Sequence, residues 1–394
     1  MPRILAVMGY DSFFGGERAN VRVLKLMRGQ GAQIECVVRK ERAAENFVSM
    51  LRSENFPLHP THFGPGLFGL QKNPFRYFKN LYGMFRVSVT TLRVASRFKP
   101  THIYVPNFIQ FLYVWPAVCV LRDPVVFRIG DPPETTFLHR LMWSKIIAPR
   151  VAAFVTNSEY TRQRLLMSAG REVNSRVIRN CTTRLGAVED SGRKAVGGER
   201  WAEGMPLVIS YLGQINPSKG VHVAVDAAIG ICRNRPDVLF QFIGLKDSVS
   251  PYAEALMQKV REAGLESRIL FKKYVSDIQP VLLQSALHLC PSLQEESSAN
   301  VVIEAKQAGV PSVVFPKGGL PELVRHEVDG FVCRTPDVSG LIEGITFFLQ
   351  NPHKLDLART AARESSRNYS PAVIGPDWRR LFLDGNSGEV RGAF

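Results

Sequence analysis

The feature that most limits the fold of this chain is a repeated alternation of short, continuously apolar runs with longer stretches of helical period. Ile4–Met8 and Gln33–Val38 read as buried strands, separated by an amphipathic helix from about Glu17 to Arg28. Ile103–Val105, Val125–Arg128 and Ala153–Thr156 continue the series. Crossovers of this length make successive strands run parallel, and a parallel sheet needs helices on both faces. Between Leu185 and Pro206 the alternation breaks into five glycines among scattered charges, which is linker composition. It then restarts with strands at Leu207–Tyr211, Val238–Ile243, Ile269–Phe271, Leu287–Cys290 and Ser312–Phe315. Helices over Val221–Arg233 and Tyr252–Ala263 separate the first three, and beyond about Ser339 the pattern is helical, broken near Pro352 and Pro371. The expected fold class is α/β: two Rossmann-like, doubly wound parallel-sheet domains over 1–190 and 206–370. A helical tail, 371–394, can pack back on the first domain. A chain of 394 residues suits this division, because single cores stop growing near about 250–300 residues. Ligands of such sheets bind at the carboxyl ends of the strands, which is expected to put the site in a cleft between the domains.

The net charge of +15 is unevenly spread. Residues 1–194 hold about 29 Lys and Arg against about 13 Asp and Glu, and the remainder is nearly balanced. A one-sided excess points to an anionic partner for the first half, or serves solubility alone. Within that half, Asn73–Ser96 mixes Phe75, Tyr77, Phe78, Tyr82 and Phe85 with Arg76, Lys79, Arg86 and Arg93. An amphipathic helix of this make-up can lie on an anionic membrane. It can equally be a core helix, and Gly83 interrupts the pattern. The longest apolar stretches, such as Phe111–Leu121, fall short of the roughly 20 residues that a bilayer span takes. Met1-Pro2-Arg3-Ile4 leads almost directly into a strand with no secretory h-region, so a cytoplasmic protein is expected, with any lipid contact at the inner membrane face. No helix-turn-helix, zinc or RNA-binding motif accompanies the basic half, which argues against nucleic acid. The six cysteines lie far apart without a C-x-x-C pair, neither a zinc spacing nor a dense disulfide framework, and Cys36 and Cys290 read as buried thiols.

The chemistry concentrates in Pro291-Ser-Leu-Gln-Glu-Glu-Ser-Ser-Ala-Asn-Val-Val-Ile-Glu-Ala-Lys-Gln-Ala-Gly309, directly after an apolar strand. Ser297 and Ser298 are good N-cap residues for a helix from about Ala299 to Ala308, which Gly309 can close. The first turn, with Asn300 and Val301, would offer backbone N–H groups and a positive dipole end to a phosphate. Glu296 stands just before this anion site, and Glu304 about one 5.4 Å pitch along the helix. One carboxylate can then bind sugar hydroxyls beside a diphosphate while the other binds a ribose diol. That combination fits a nucleotide sugar.

Here the sequence resembles the retaining GT-B glycosyltransferases of the large family four, whose signature is E-x7-E. Glu296 and Glu304 match it in spacing and context. The resemblance implies that Glu296 contacts the donor sugar near the reacting centre, as a catalytic residue, and that Glu304 binds the ribose. Tyr211-Leu-Gly-Gln-Ile-Asn-Pro-Ser-Lys-Gly220 is similar to the family's strand–Gly–Arg–…–Lys–Gly loop, making Lys219 the expected diphosphate cation. Gln214 stands where the family often has Arg. Gly318-Gly319-Leu320-Pro321-Glu322 and Asp329-Gly330-Phe331 resemble its G-G-x-P-E and D-G-F segments, and the glycine pair would bring backbone amides to the donor. Gly244, and Val275 within Tyr274-Val275-Ser276, occupy positions where the family holds the nucleobase. Gly15-Gly16 opens the first helix like the family's cleft-facing glycine pair, so Gly16 joins the donor site. Asp131 ends a strand where relatives place a His and is the second candidate catalytic residue, for a donor-sugar or acceptor hydroxyl; the residues alone leave an Asx-type turn before two prolines open.

The function implied is transfer of a UDP- or GDP-linked sugar, with retention, to a hydroxyl of a glycan or lipid-linked acceptor, in polysaccharide or glycolipid synthesis. No metal or cofactor is expected beyond the nucleotide sugar as co-substrate, in keeping with the lack of a D-x-D motif. Two other classes remain open on sequence. A sugar-nucleotide epimerase or phosphorylase on the same fold would need an acid–base pair, and no His partner stands out in the second half. A non-catalytic nucleotide-sugar-binding subunit would have little reason to keep both glutamates.

Overall fold

The computed structural model describes residues 1–11, 15–65, 75–182 and 206–384. They fall into two compact units, Met1–Cys181 with Pro371–Phe394, and Thr182–Ser370. Residues 185–205 of the glycine-rich stretch lie outside the described residues.

Unit 1 runs β1 (Arg3–Met8), α1 (Gly15–Gly29), β2 (Gln33–Arg39), α2 (Glu45–Ser53), β3 (Leu58–Thr61), α3 (Phe75–Phe98) and β4 (His102–Val105). It continues with α4 (Phe108–Val120), β5 (Val125–Ile129), α5 (Phe137–Met142), β6 (Ala153–Thr156), α6 (Glu159–Ala169) and β7 (Ser175–Val177). The strands form one seven-stranded parallel sheet in the order β3-β2-β1-β4-β5-β6-β7. Alternate side chains of a strand face opposite layers. Accordingly Ile4, Ala6 and Met8 enter one core with α1 and α2. Leu5 and Val7 enter the other with α3 and α4. Gly83 lies inside α3 and does not interrupt it. A Cβ there would come within 2.4 Å of the Gly64 amide nitrogen and 3.0 Å of the Tyr113 ring, so the glycine lets α3 close onto α4 and the chain after β3.

Unit 2 runs β8 (Leu207–Leu212), α7 (Val221–Asn234), β9 (Val238–Leu245), α8 (Pro251–Glu262), β10 (Ile269–Lys273), α9 (Gln279–Leu283) and β11 (Leu287–Cys290). It ends with α10 (Asn300–Gln307), β12 (Ser312–Val314), β13 (Gly330–Val332), α11 (Val338–Leu349) and α12 (Pro352–Ser366). Its six strands are also parallel, ordered β10-β9-β8-β11-β12-β13. In each sheet the strand order reverses beside the first strand, between β1 and β4 and between β8 and β11. That is the place where doubly wound sheets open a crevice for ligands.

The last helix, α13 (Pro371–Asp384), belongs to unit 1. Ile374, Trp378, Leu381 and Phe382 are buried in the core that holds Ile4, Ala6 and Met8. The Trp378 ring meets Tyr104 edge-on, centroids 6.2 Å apart. The expectation of two α/β parallel-sheet halves holds. Cys36 and Cys290 are buried free thiols, and burial pushes both up to about 12. Among the described residues, no helix is long and apolar enough to cross a membrane.

Candidate active site

In unit 2 the loops after β8 and β11 flank the reversal point and are laced together. Asn216 accepts the Lys219 amide at 3.0 Å and turns the chain. Gly220 follows with φ +66, and a Cβ there would lie 1.9 Å from the Pro291 carbonyl, so only glycine fits. The amides of Leu293 and Gln294 both donate to the Ser218 carbonyl, at 2.9 and 3.0 Å. Across this lacing Lys219 Nζ meets Glu296 Oε1 at 2.5 Å. The same carboxylate oxygen accepts the Ser292 hydroxyl at 2.7 Å and the Gln294 side chain at 3.3 Å. Two residues that sequence assigns to the donor are therefore in direct contact, although 77 positions separate them. Lys219 and Glu296 keep 28% and 15% of their side chains exposed, so neither is sealed off.

The glycine pair packs against the backbone of Glu296. Gly319 donates its amide to the Glu296 carbonyl at 2.6 Å. Gly318, at φ +59, sits so close that a Cβ would lie 2.2 Å from that same carbonyl. Gln214 spends its side-chain oxygen on Asn216 at 3.2 Å. Gly244, at φ +151, backs onto the Gly213 carbonyl, where a Cβ would lie 1.7 Å away. Val275 and Val301 pack on one apolar cluster with Leu212, Ile243 and Ala305, which ties the loop after β10 to α10.

At the start of α10, Ala299 takes the N-cap position without a side-chain bond, so neither expected serine does. The buried Ser298 hydroxyl has no hydrogen-bond partner among the described residues. A buried hydroxyl left unbonded costs about 1–3 kcal/mol, which makes this atom notable. Asn300 and Val301 form the first turn, whose amides have no acceptor within the helix. Glu304 is half-buried one turn on. Gly309, at φ +68, closes the helix, with its amide on Lys306 and that of Val310 on Ala305.

A second ion pair holds α10 in place. Lys306 Nζ lies 2.7 Å from Asp329 Oδ2, with side-chain exposures of 3% and 0%. Arg325 reaches the same oxygen at 2.9 Å. Burial opposes the Asp329 charge, but Lys306 and Arg325 outweigh it and hold the carboxyl below its ordinary value. The D-G-F aspartate is thus a buried anchor for α10.

Unit 1 carries its polar cluster at the corresponding end of its own sheet. Arg128, on β5, is buried and donates to Asn20 Oδ1 at 3.0 Å and Asn180 Oδ1 at 2.6 Å. Tyr104 donates to Asn20 at 2.6 Å, and Asn20 donates to Tyr10 at 2.8 Å and to the Gly16 carbonyl at 3.0 Å. Burial holds the Tyr10 phenol well above its ordinary value, with Tyr104, Glu17 and Asp131 adding to the effect and Arg128 opposing it. A Cβ on Gly16 would meet no described atom within 4 Å, so packing does not demand this glycine. Asp131 is exposed at the bend after β5, beside the Gly130 carbonyl that Asn157 holds at 3.4 Å. Sequence reasoning missed Asn20, Tyr10 and Ser292, and gave Arg128 no role. An arginine inside the apolar run Val125–Ile129 was the available signal. Among the described residues, no group of three or more His, Cys, Asp or Glu could hold a metal ion.

Residues 199–365 match the family described as Glycosyl transferases group 1. Unit 2 belongs to the group 1 glycosyltransferases. Putative glycosyltransferase YtcC of Bacillus subtilis is 31% identical over 131 residues, 32% of this chain and 32% of that protein. A GDP-mannose-dependent alpha-(1-6)-phosphatidylinositol monomannoside mannosyltransferase of Mycolicibacterium smegmatis is 24% identical over 268 residues, 63% of this chain and 69% of that protein. The chain spans about a quarter to a half of the length of the first curated relatives it matches. HepE of Anabaena in complex with UDP superposes with a TM-score of 0.78 at 18% identity, over 96% of this chain and 99% of that one. At that identity the likeness is one of fold, and it extends the GT-B assignment to both units.

Proposed function

We propose that the protein moves a sugar from a UDP- or GDP-sugar to a hydroxyl of a glycan or lipid-linked acceptor, with retention of configuration. The observation that carries this reading is the meeting of Lys219 and Glu296 beside the unbonded Ser298 hydroxyl at the start of α10. In the proposed cycle the donor diphosphate takes Lys219 from Glu296 and lies on Ser298 and the first-turn amides of Asn300 and Val301. An ion pair that keeps contact with water is worth about 1 kcal/mol or less, so a doubly charged diphosphate can displace it. Glu296, freed and still fixed by Ser292 and the Gly318–Gly319 loop, then orients the transferred sugar. Glu304 holds the ribose, and Gly244 and Val275 border the base. Gln214, already bonded to Asn216, plays a secondary part at the diphosphate.

The anomeric carbon loses its bond to the diphosphate oxygen and gains one to the acceptor oxygen on the same face. The acceptor proton leaves toward the departing phosphate, whose growing charge is stabilised by Lys219 and the helix start. The open approach to Gly16, and Asp131 at its exposed bend, are assigned to the donor and to the reacting hydroxyls respectively. The reaction needs no metal in this reading. A relative named for a phosphatidylinositol mannoside acceptor, together with the basic first half, favours a lipid-linked acceptor reached from the cytoplasm at an anionic membrane.

The test separates the two glutamates. Glu304→Ala should weaken nucleotide binding about tenfold, roughly 1.4 kcal/mol. Glu296→Ala should leave free-nucleotide affinity intact while transfer falls by about a hundredfold or more. Equal loss of both properties in both variants would overturn the division of roles.

A further inference from the structure

The first half of α3 is the most exposed apolar surface among the described residues. Phe75, Phe78 and Phe85 are 72%, 69% and 62% exposed, and Tyr77, Leu81 and Tyr82 are more than half exposed. These positions share one face of the helix over about three turns, roughly 16 Å of its length. The opposite face, Asn80, Gly83 and Val87, is buried against the rest of unit 1. Leu92 and Phe98 of the second half pack against the core, and the residues it leaves exposed are Arg93, Ser96 and Arg97. One continuous helix thus changes from aromatic to basic on its outer side. The core-helix reading fails for its first half and holds for its second.

Charge says what covers this face. None of the 24 residues of α3 is acidic, while Lys79 and Arg86 are exposed along one margin of the aromatic face and Arg76 lies half-buried beside it. Aromatic side chains edged by cations match the boundary between acyl chains and anionic headgroups, where rings bury and Lys or Arg meet phosphate. Self-association would bring two cationic margins together with no acid on the helix to offset them. Phe137 and Leu138 on α5, 85% and 62% exposed, give the same unit a second apolar site without adding acid.

We propose that the Phe75–Arg86 face of α3 docks unit 1 onto an anionic lipid bilayer, with Phe75, Phe78 and Phe85 entering the interface and Lys79 and Arg86 bound to headgroup phosphates. The inference deepens the membrane-side reading above and rests on it for why the protein would visit a bilayer. The docking face itself stands on the exposure and charge of α3.

The test is co-sedimentation of the full chain with vesicles of phosphatidylcholine alone and of phosphatidylcholine mixed with phosphatidylglycerol. Binding should be confined to the anionic vesicles and should weaken as salt is raised. The variant Phe75→Ser/Phe78→Ser/Phe85→Ser should lose more than about tenfold in vesicle affinity, and Lys79→Glu/Arg86→Glu a similar factor. All five positions are exposed, so melting temperature and UDP or GDP binding should match the unaltered protein. Vesicle binding that is absent from the unaltered protein, or unchanged in the aromatic variant, overturns the docking face whatever the nucleotide result. A dimer that the aromatic substitutions convert to a monomer, without lipid binding, would make the face a self-interface and also overturn it. Loss of nucleotide binding with vesicle binding intact would strike the transferase reading alone.

Discussion

Arg128 in unit 1 and Lys219 in unit 2 both stand at the carboxyl end of a parallel sheet, yet they are held in opposite ways. Arg128 is 2% exposed, and its hydrogen-bond partners are the neutral amide oxygens of Asn20 and Asn180. Lys219 is 28% exposed on a flexible stem, and its partner is the carboxylate of Glu296. A planar guanidinium forked between α1 and the chain after β7 is a brace. A lysine on a reachable carboxylate can exchange that partner for a more highly charged ligand. Unit 2 has its own brace in the buried pair Lys306–Asp329, so the contrast runs within unit 2 as well as between the units. Position relative to water, and not the mere presence of a cation at the sheet end, separates the cation that braces the fold from the one proposed to meet a ligand.

The comparison can be broken at each cation, and the largest effect is expected at Asp329. Asp329→Ala takes from the buried Lys306 its carboxylate partner, which should cost about 3–5 kcal/mol in unfolding free energy by denaturant titration. A loss below about 1 kcal/mol would show that the pair is no brace. The same carboxyl gives a pH dependence. Its folded value lies below the ordinary 3.8, so its contribution is fully present above that ordinary value and is lost as pH falls through the folded one. The stability gap between the unaltered protein and Asp329→Asn should therefore be flat above about pH 5 and narrow below 3.8. A gap that widens toward acid would contradict the ion pair.

Next in size is Arg128→Met, which removes one buried donor from each of the Asn20 and Asn180 oxygens and should cost about 1–3 kcal/mol. Its nucleotide affinity should stay unchanged, because the nucleotide contacts assigned above to base, ribose and diphosphate lie in unit 2. Smallest in stability is Lys219→Met, within about 1 kcal/mol of the unaltered protein. Its transfer rate should nevertheless fall by about a hundredfold or more. A Lys219 variant that unfolds readily, or an Arg128 variant that keeps full stability, would erase the distinction.

Sequence carried the central strands and the edge strand β10, and lost the other three edges. β1, β4, β8 and β11 are continuous apolar runs because both faces of a parallel sheet are covered. β3, β7 and β13 are edge strands of three or four residues, and β3 contains Pro60, so none has the run that betrays a buried strand. At the site, the spacing of Glu296 and Glu304 was legible because both sit on one short segment. The Lys219–Glu296 contact was not, because it depends on Gly220 and Gly318 letting separate loops close to van der Waals distance. Gly318 and Gly319 fitted a ligand-binding motif in sequence, and the fold turns them onto the Glu296 backbone. Asp329 was legible only as part of the D-G-F segment, and its pairing with Lys306 was not, because the fold alone buries them against each other.

The central claim, that the Lys219–Glu296 corner of unit 2 is a nucleotide-diphosphate site, is tested most directly by thermal stabilisation with UDP, GDP, ADP and CMP. At 100 times its dissociation constant a ligand adds about 2.7 kcal/mol to the folded state. The account predicts a clear rise in melting temperature with UDP or GDP, most of it lost in Lys219→Met. No shift with any of the four, or an equal shift in the Lys219 variant, would contradict it.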